Sequence, residues 1–292
     1  MPDHPYPGYR VYEPADPYED HVGPMYYKAE GGGAHCLLPT RPEHLNSGSM
    51  VHGGLLMSFI DYALATAAGA LDGKFALTVS LNCSFLNAGR LGPPLEARTR
   101  LLRSGRTLSF AQGEVVQDGT MLLSASAVFR PIDRTRALDQ RATLMDPAKA
   151  PPQRPPSDFR LVERNSPFLK HVGDSYIGER DGRRIVVQPT APHLLNTGGL
   201  VHGGVLMNFA DNAFCTEIAL ATGGMAPITT AFSAEFLSAG KLGPLLSSAV
   251  EMLRTTRTTA FVRGVVEQDG AKLLNYDAVV TLKDRAKLTA PT

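Results

Sequence analysis

The sequence predicts an α+β protein of two tandem domains, each an antiparallel sheet wrapped around one buried helix. The first observation behind this prediction is an internal repeat, because residues 46–64 and 196–214 are identical at 11 of 19 positions with an offset of 150. The second is a repeated helix that is apolar around nearly its whole circumference, which is typical of a buried helix. The third is a series of strand candidates and hairpin signals after that helix.

The repeat extends over most of the chain and therefore duplicates a whole domain, since solenoid repeats are shorter. Beyond the helix the offset becomes 151, which places one extra residue of the second copy in a loop. A length of 292 residues also fits two domains. We predict a loose N-terminal arm at 1–17, a first domain at 18–133, a proline-rich linker at 134–157, a second domain at 158–284 and a C-terminal tail at 285–292.

Each unit begins with a short strand that ends at Pro39 or Pro189, followed by a loop that contains Asn and Gly. The buried helix comes next, over Gly53 to Leu71 in the first unit and Gly203 to Ala221 in the second. Because this helix has no sharp polar face, the rest of each unit has to cover it.

The segments after the helix indicate an antiparallel meander, and a meander that follows one buried helix is expected to curl around it. Asp118-Gly119 and Asp269-Gly270 are typical of tight hairpin turns. Between the linker and the second unit, Phe159 to Leu169 is predicted as a short helix interrupted at Pro167. The strand candidates of the first unit are Ala76–Phe85, Glu96–Arg103, Leu108–Gln117 and Met121–Arg130.

Composition argues against several classes of function. A net charge of +1 gives no basic surplus for nucleic acid or an anionic membrane, and no apolar run is long enough for a transmembrane helix. The cysteines Cys36, Cys83 and Cys215 are odd in number and irregularly spaced, which argues against a disulfide framework or a zinc site. We therefore expect a cytoplasmic protein without a metal site, a nucleic-acid partner or a membrane partner.

Each copy of the repeat places an Asp within the apolar helix, Asp61 and Asp211. A buried carboxylate is costly unless it is paired or hydrogen-bonded, and its helical neighbours carry no counter-charge. One reading is that the Asp reaches solvent through a gap or bonds the backbone. Recurrence at the same register favours a general base or nucleophile with a tuned pKa. Glu217, about a turn and a half after Asp211, is expected to raise the pKa of that Asp or to line its pocket.

A His-Gly-Gly sequence opens each buried helix, with Gly53 and Gly203 as the first glycines. Backbone N–H groups at a helix start are unpaired and carry the positive end of the dipole, so they suit an oxyanion hole. A tight turn packed on the sheet is the alternative. His52 and His202 are expected to cap or brace the turn rather than act as bases. Each preceding loop starts with an Asn that either makes a turn or holds a water or the substrate carbonyl, Asn46 and Asn196.

The spacing along the helix decides which of these groups can cooperate. Gly53 and Asp61 lie eight residues apart, which is about 12 Å along one helix. They cannot flank one carbonyl, so a shared site needs residues from both copies. We therefore predict that the two helices lie side by side and antiparallel, with Gly53 facing Asp211 and Gly203 facing Asp61.

The pattern N-x5-H-G-G-x6-D, followed by TVSLNCSFL, by AG[RK]LGP and by GRTLSF, resembles the hotdog-fold acyl-CoA thioesterases of the phenylacetate-pathway (PaaI-like) branch. The resemblance covers both units and implies a tandem double hotdog. It implies that a carboxylate on the central helix attacks the thioester or activates water, that the first Gly N–H polarises the carbonyl, and that a Ser or Thr on the next strand assists. It implies no metal and no bound cofactor, with CoA present only as part of the substrate.

Carried over to this chain, the resemblance implies two sites. One contains Asn46, His52 and Gly53 with Asp211 and Thr229, and the other contains Asn196, His202 and Gly203 with Asp61 and Thr78. It also implies that basic residues hold the CoA part of the substrate, namely Arg106 and Arg257, with Arg90, Lys241, Arg103 and Arg254 as further candidates for its phosphates. The alternative for these residues is that they are solvated charges at strand ends.

The sequence thus predicts a hydrolase that acts on acyl-CoA thioesters. A non-catalytic acyl-CoA-binding or sensing protein on the same fold remains open, as does an enoyl-CoA hydratase or dehydratase, which needs a catalytic His beside an acid in the pocket. A purely structural module leaves the two polar constellations unexplained. Exposed sheet edges favour a homo-oligomer of such chains. The acyl specificity and the equality of the two sites are not determined by the sequence.

Overall fold

The structure is a computed structural model that describes residues 6–13, 16–69, 73–133, 144, 146 and 153–284. It contains the two predicted units, each with one long buried helix. The first unit consists of α1 (Pro17–Val22), β1 (Tyr26–Glu30), β2 (Gly33–Leu38), a 3-10 helix (Pro42–His44), α2 (Gly53–Ala68), β3 (Phe75–Phe85), β4 (Leu95–Ser104), β5 (Ser109–Gln117) and β6 (Thr120–Ile132).

The second unit repeats this order with small differences in length. It consists of β7 (Arg160–Leu161), α3 (Pro167–Val172), β8 (Tyr176–Arg180), β9 (Arg183–Gln188), a 3-10 helix (Pro192–Leu194), α4 (Gly203–Ala221), β10 (Ala226–Phe236), β11 (Leu246–Thr255), β12 (Thr259–Gln268) and β13 (Ala271–Lys283). The offset changes between the end of the long helix and the next strand, so the extra residue of the second copy lies there, as predicted.

All described strands form one antiparallel sheet in the order β1-β2-β4-β5-β6-β3-β10-β13-β12-β11-β9-β8-β7. The predicted simple meander is wrong for β3, which pairs with β6 rather than with β4. This position brings β3 to the inner edge of its unit, where it pairs with β10 of the other unit through Ser80 to Ser84. Each unit therefore covers the edge that the other would leave open.

The tight turns between the last two strands of each unit agree with the sequence prediction. Asp118 and Gly119 have φ of 48° and 76°, and Asp269 and Gly270 have φ of 46° and 78°. Positive φ at both central residues is the geometry that Asp-Gly favours in two-residue hairpins.

The two long helices cross inside the sheet and run antiparallel. A Cβ built on Gly54 near the start of α2 would lie 2.0 Å from Oδ1 of Asn208, and one built on Gly204 near the start of α4 would lie 2.6 Å from Oγ of Ser58. The start of each helix therefore faces the second turn of the other, and glycine permits this approach because it has no side chain. The helix α2 ends at Ala68, earlier than predicted, and Leu71 lies outside the described residues.

Each unit also lends its short helix to the other unit. The N–H of Tyr18 in α1 donates to the carbonyl of Leu195 at 3.1 Å, and the N–H of Phe168 in α3 donates to the carbonyl of Leu45 at 3.0 Å. Thus α1 covers the Asn loop of the second unit, and α3 covers the Asn loop of the first.

Two predictions about the connecting segments are wrong. Proline does not interrupt a helix over Phe159 to Leu169, because Pro167 starts α3, where its missing N–H costs nothing, and Ser166 caps that helix. The described part of the N-terminal arm is not loose, since Arg10 exchanges two backbone hydrogen bonds of 2.8 Å with Tyr27.

Candidate active site

The two aspartates of the repeat lie in the middle of the crossing helices and are about 95% buried. Asp61 Oδ1 accepts a hydrogen bond of 2.8 Å from the hydroxyl of Thr78, and Asp211 Oδ1 accepts one of 2.6 Å from the hydroxyl of Thr229. Both threonines adjoin an irregularity in strand register, and a β-bulge is a common way to aim a side chain at a site. The structure therefore places both threonines where the resemblance implied them.

The aspartate of one unit faces the helix start of the other. A Cβ built on Gly203 would lie 3.5 Å from Oδ2 of Asp61, although these residues belong to different units. The His202 that precedes Gly203 also interacts electrostatically with Asp61. The predicted exchange between units is therefore observed, and we call the set Asp61, Thr78, Asn196, His202 and Gly203 site 1.

The equivalent set around Asp211 forms site 2, which contains Asp211, Thr229, Asn46, His52 and Gly53. The guanidinium of Arg164 interacts electrostatically with both His52 and Asp211, which lie in different units. In each site an aromatic ring from the end of a strand packs on the first glycine, Phe85 at Gly53 and Phe236 at Gly203. The two sites thus share one plan.

The histidines cap the long helices, as the sequence analysis expected. Nδ1 of His52 accepts the N–H of Gly54, and Nδ1 of His202 accepts the N–H of Gly204, both at 2.9 Å. This cap leaves the N–H of the first glycine, one residue earlier, without a partner inside the helix. A carbonyl oxygen placed there would meet a donor at the positive end of the helix dipole.

The asparagines use part of their side chains to shape the loop. Oδ1 of Asn46 accepts the N–H groups of Gly48 and Met50, and Oδ1 of Asn196 accepts those of Gly198 and Leu200. The turn-forming alternative is therefore correct for the amide oxygen. The amide nitrogen remains the part of each side chain suited to hold a water or a carbonyl.

The electrostatic surroundings of the two aspartates differ. Burial raises the pKa of both carboxyl groups, and the hydrogen bonds from Thr78 and Thr229 oppose this shift. His202 also lowers the pKa of Asp61, whereas Arg164 lowers that of Asp211. Burial, with Arg164 nearby, lowers the pKa of His52 to about 3, so this ring is neutral.

A cavity of about 850 Å³ opens onto site 1 and is lined by both units. Its walls include Asp61, Thr78, Asn196, His202 and Gly203, so all five residues of the site face one space. The aromatic side chains Tyr12, Tyr62 and Phe75 line another part of the same cavity. Site 1 therefore combines a buried polar centre with room for a bulky apolar group.

Two acids at the start of α1 also line this cavity, namely the N-cap residue Asp16 and Glu19 in the first turn. Glu19 Oε1 lies 3.5 Å from Nε2 of His202, and burial together with the charge of Asp16 raises the pKa of Glu19. Ligand atoms of Asp16, Glu19 and His202 lie within 4.8 Å of one another, a spacing that a metal ion can bridge. However, Asp16 already accepts four hydrogen bonds, from the N–H groups of Tyr18, Glu19 and Thr197 and from the Thr197 hydroxyl. We therefore interpret Asp16 as a structural link between α1 and the second Asn loop.

The structure does not bring the predicted CoA-binding residues into the site 1 cavity. Arg106 and Arg257 are exposed in the hairpins after β4 and β11. Arg90 forms an exposed ion pair with Asp118, and Lys241 is anchored through its backbone by Gln268. Among the described residues that line the cavity, Arg130 near the end of β6 carries a guanidinium.

The prediction for Glu217 is wrong. Its carboxylate accepts a hydrogen bond of 2.7 Å from Nε of Arg184 on β9, and it does not contribute to the pKa shift of Asp211. The helix turns it away from the aspartate and towards the neighbouring strand. Arg184 neutralises this charge outside the site.

Sequence reasoning missed the residues that α1 and the segment before α3 contribute, which are Asp16, Glu19 and Arg164. A signal was present, because Pro17 and Pro167 align at the offset of 150 and extend the matched His-Val-Gly upstream. That alignment marks the two segments as equivalent. It does not show that each segment crosses to the other unit.

Known proteins are similar to part of this chain in sequence. The chain is 30% identical over 118 residues to a "Putative esterase" of Pseudomonas aeruginosa, with 39% of this chain and 88% of that protein covered. It is 26% identical over 91 residues to human acyl-coenzyme A thioesterase 13, with 31% of this chain and 65% of that protein covered.

Solved structures resemble the chain over almost its full length. A hot dog fold protein of unknown function from Alicyclobacillus acidocaldarius has a TM-score of 0.63 at 16% identity and covers 94% of this chain and 98% of its own. The acyl-CoA thioesterase II TesB2 of Mycobacterium marinum has a TM-score of 0.59 at 12% identity, with coverages of 94% and 99%. These likenesses establish the fold as two tandem hotdog domains.

The family assignment follows from matches within both units. The Thioesterase superfamily matches residues 48–124 and 198–274. Each match contains the end of the loop that follows the Asn, the His-Gly-Gly sequence and the buried aspartate. Together the matches cover more than half of the chain. The chain belongs to the Thioesterase superfamily, with one hotdog domain of that family in each of its two units.

Proposed function

We propose that the protein is an acyl-CoA thioesterase with two active sites, each built from both units. The observation that supports this most strongly is the position of Oδ2 of Asp61, 3.5 Å from the Cβ position of Gly203 in the other unit. A carboxylate beside an unpaired helix N–H supplies both a base and an oxyanion donor for attack on a carbonyl.

In site 1, the thioester carbonyl lies on the N–H of Gly203. The carboxylate of Asp61, oriented by Thr78, removes a proton from a water that attacks the carbonyl carbon, or attacks that carbon itself to form an anhydride. The amide nitrogen of Asn196 holds the water or the carbonyl. The tetrahedral oxyanion then collapses, the C–S bond breaks, and the CoA thiolate leaves and takes up a proton, which on the water route is the one that Asp61 accepted. On the nucleophilic route, water then hydrolyses the anhydride, which releases the acid and restores the Asp61 carboxylate. His202 braces the loop that presents Gly203.

In site 2, Asp211, Thr229, Asn46, His52 and Gly53 take the same roles. No step needs a metal ion or a bound cofactor. Whether the aspartate acts as a base or as a nucleophile can be tested by a single turnover in H₂¹⁸O, with the enzyme in excess over the substrate. Label found in the aspartate after one turnover indicates the anhydride, because water reaches the aspartyl carbon only when that carbon belongs to an anhydride. Label confined to the acyl product fits both routes, and mass spectrometry of rapidly quenched enzyme then separates them, since only the anhydride route gives an acylated protein.

One observation favours a second candidate function. The site 1 cavity contains His202 beside Glu19, the combination of histidine and acid that hydration of an enoyl-CoA requires. Nδ1 of His202 is occupied by the Gly204 N–H, which leaves Nε2 as the nitrogen for such chemistry. Hydration of crotonyl-CoA without release of thiol would support this candidate instead.

The test measures release of free thiol from a panel of acyl-CoA esters. The double variant Asp61→Asn, Asp211→Asn is expected to lose at least 100-fold in kcat, because removal of a positioned acid or base costs 10²–10⁴-fold. Wild-type turnover in that variant would refute the mechanism. Tight binding of acyl-CoA by the unmodified protein, without any thiol release, would indicate a binding or sensing protein.

The sharing of sites between units has its own test. Adding Asn196→Ala to Asp61→Asn damages site 1 twice and is expected to leave the residual rate of Asp61→Asn unchanged. Adding Asn46→Ala to Asp61→Asn damages both sites and is expected to lower that rate at least tenfold. The opposite ranking would show that each site lies within one unit.

We further propose a cytoplasmic setting and a homo-oligomer of such chains. The three cysteines are buried and form no disulfide, which suits a reducing compartment. No helix in the described ranges is both long and apolar enough to cross a membrane. Size-exclusion chromatography with light scattering tests the oligomer.

A further inference from the structure

We infer that the two sites act on different acyl groups, with site 1 taking bulky acyl groups and site 2, narrowed by Arg164, taking short ones. This inference rests on the proposed thioesterase function. The structure has one cavity beside α2 and another on the equivalent face of α4, and the two differ in size and lining.

The cavity of site 1 is continuous from the catalytic aspartate to the aromatic wall. Asp61, Tyr62 and Thr66 of α2 line it together with Tyr12 and Glu19, and its volume is about 850 Å³. An acyl group bound at Asp61 can therefore extend past Tyr62 towards Tyr12.

The second unit has a smaller cavity in the equivalent place. Its volume is about 280 Å³, and its lining includes Val162, Leu169 and Asn212, which align in sequence with Tyr12, Glu19 and Tyr62. It therefore corresponds to the far part of the site 1 cavity. Asp211 is not among the described residues that line it.

Arg164 lines this cavity and contacts α4 directly after the catalytic aspartate. Its guanidinium donates to the hydroxyl of Thr216 at 2.5 Å and to the carbonyl of Asn212 at 3.4 Å, and it also lines the smaller cavity. Thr216 is the counterpart of Thr66, which lines the open cavity of site 1. In site 2 the side chain of Arg164 thus occupies the position that corresponds to the part of the site 1 cavity beside Thr66, where a long acyl chain would lie.

The surroundings of the Arg164 guanidinium support the preference of site 2 for short acyl groups. The hydrogen bond from Arg164 to the carbonyl of Asn212, the residue that follows Asp211, brings the guanidinium near the reacting carboxylate of site 2. Burying methylene groups against a guanidinium removes its hydration without replacing it, which is costly. An acyl chain that ends before Arg164 avoids that cost.

The experiment uses two single-site enzymes, Asp211→Asn with only site 1 and Asp61→Asn with only site 2. Thiol release gives kcat/KM for acetyl-, butyryl-, hexanoyl-, octanoyl- and phenylacetyl-CoA. We expect the site 1 enzyme to favour octanoyl- or phenylacetyl-CoA over acetyl-CoA at least tenfold, and the site 2 enzyme to show the reverse order. The same acyl preference in both enzymes would overturn the inference while leaving the proposed function intact.

The role of Arg164 is tested in the Asp61→Asn background. Arg164→Ser is expected to raise the ratio of octanoyl- to acetyl-CoA activity at least tenfold, whereas Arg160→Ser, an exposed control on β7, leaves it unchanged. The ratio cancels any effect of the lost charge on Asp211 itself. An unchanged ratio would remove Arg164 as the determinant, and absence of thiol release from every ester in all enzymes would refute the proposed function and this inference with it.

Discussion

The crossing of the two long helices predicts that Gly54→Ala lowers the stability of the protein when Asn208 is present and raises it when residue 208 is alanine. Replacing Gly54 by Ala places a Cβ 2.0 Å from Oδ1 and 2.7 Å from Cγ of Asn208 in the other unit. Ordinary contacts between such atoms exceed 3 Å, so the Asn208 side chain or the helix has to move by more than 1 Å. Overpacking of this kind costs about 1–3 kcal/mol.

A second contribution partly offsets this cost. Alanine is favoured over glycine in a helix interior by about 1 kcal/mol, and less near a helix start. The net expectation for Gly54→Ala is therefore a loss of about 1–2 kcal/mol in the free energy of unfolding. In an Asn208→Ala background the clash is absent, and the same change is expected to stabilise the protein by about 0.5 kcal/mol through helix propensity.

The assay is urea denaturation of the four proteins of this cycle, which gives the coupling free energy between positions 54 and 208. The structure predicts a coupling of about 2 kcal/mol. The control is Gly204→Ala, whose Cβ meets Ser58 rather than Asn208, so Asn208→Ala is not expected to rescue it. Additive effects at Gly54 and Asn208 would refute the antiparallel crossing, and with it the exchange of catalytic groups between units.

Two further predictions concern pH. Burial raises the pKa of Asp61 in the folded state, so its contribution to stability falls as pH rises from about 4 through that pKa. Asp61→Asn is therefore expected to raise the free energy of unfolding at pH 7 by about 1 kcal/mol, while site 1 loses activity. A lower free energy of unfolding for this variant in urea denaturation would contradict the prediction. Burial and Arg41 lower the pKa of His44 to about 4, so the stability that is present above pH 6.5 is lost as pH falls towards 4, by as much as about 3 kcal/mol. His44→Gln is expected to flatten the plot of unfolding free energy against pH between pH 6.5 and 4. An unchanged slope of that plot would count against the prediction.

The sequence predicted the parts of the fold that depend on local pattern. The apolar circumference of the repeated helix indicated its burial, and Asp-Gly indicated the hairpins at Asp118 and Asp269. Simple helix geometry separated Gly53 from Asp61 and so predicted a site shared between copies. The duplication made this argument possible, because a single copy would have left the partner of Gly53 unidentified.

The remaining features depend on tertiary structure that local pattern does not encode. The position of β3 beside β6 is a pairing with a strand that comes two strands later than its next neighbour in the chain, and strand propensity is the same for any neighbour. Arg164 and Glu19 lie in short segments whose role comes from packing on the other unit. The opposite error concerned Glu217, whose sequence distance from Asp211 did not show that the helix turns it towards Arg184.

The divergence of the sites is concentrated in the short helices rather than in the catalytic set. Asp16, Glu19 and Asp20 of the α1 segment are replaced by Ser166, Leu169 and Lys170 in the α3 segment, whereas the Asn, His, Gly, Asp and Thr of the two sites are identical. In a symmetric homodimer a change in the short helix would alter both sites equally. In this chain α1 lies beside site 1 and the α3 segment beside site 2, so each segment can change the surroundings of one site alone. A tandem chain thus permits two acyl specificities on one arrangement of site residues, and the proposed difference in acyl preference rests on the change from Glu19 to Leu169 and on Arg164.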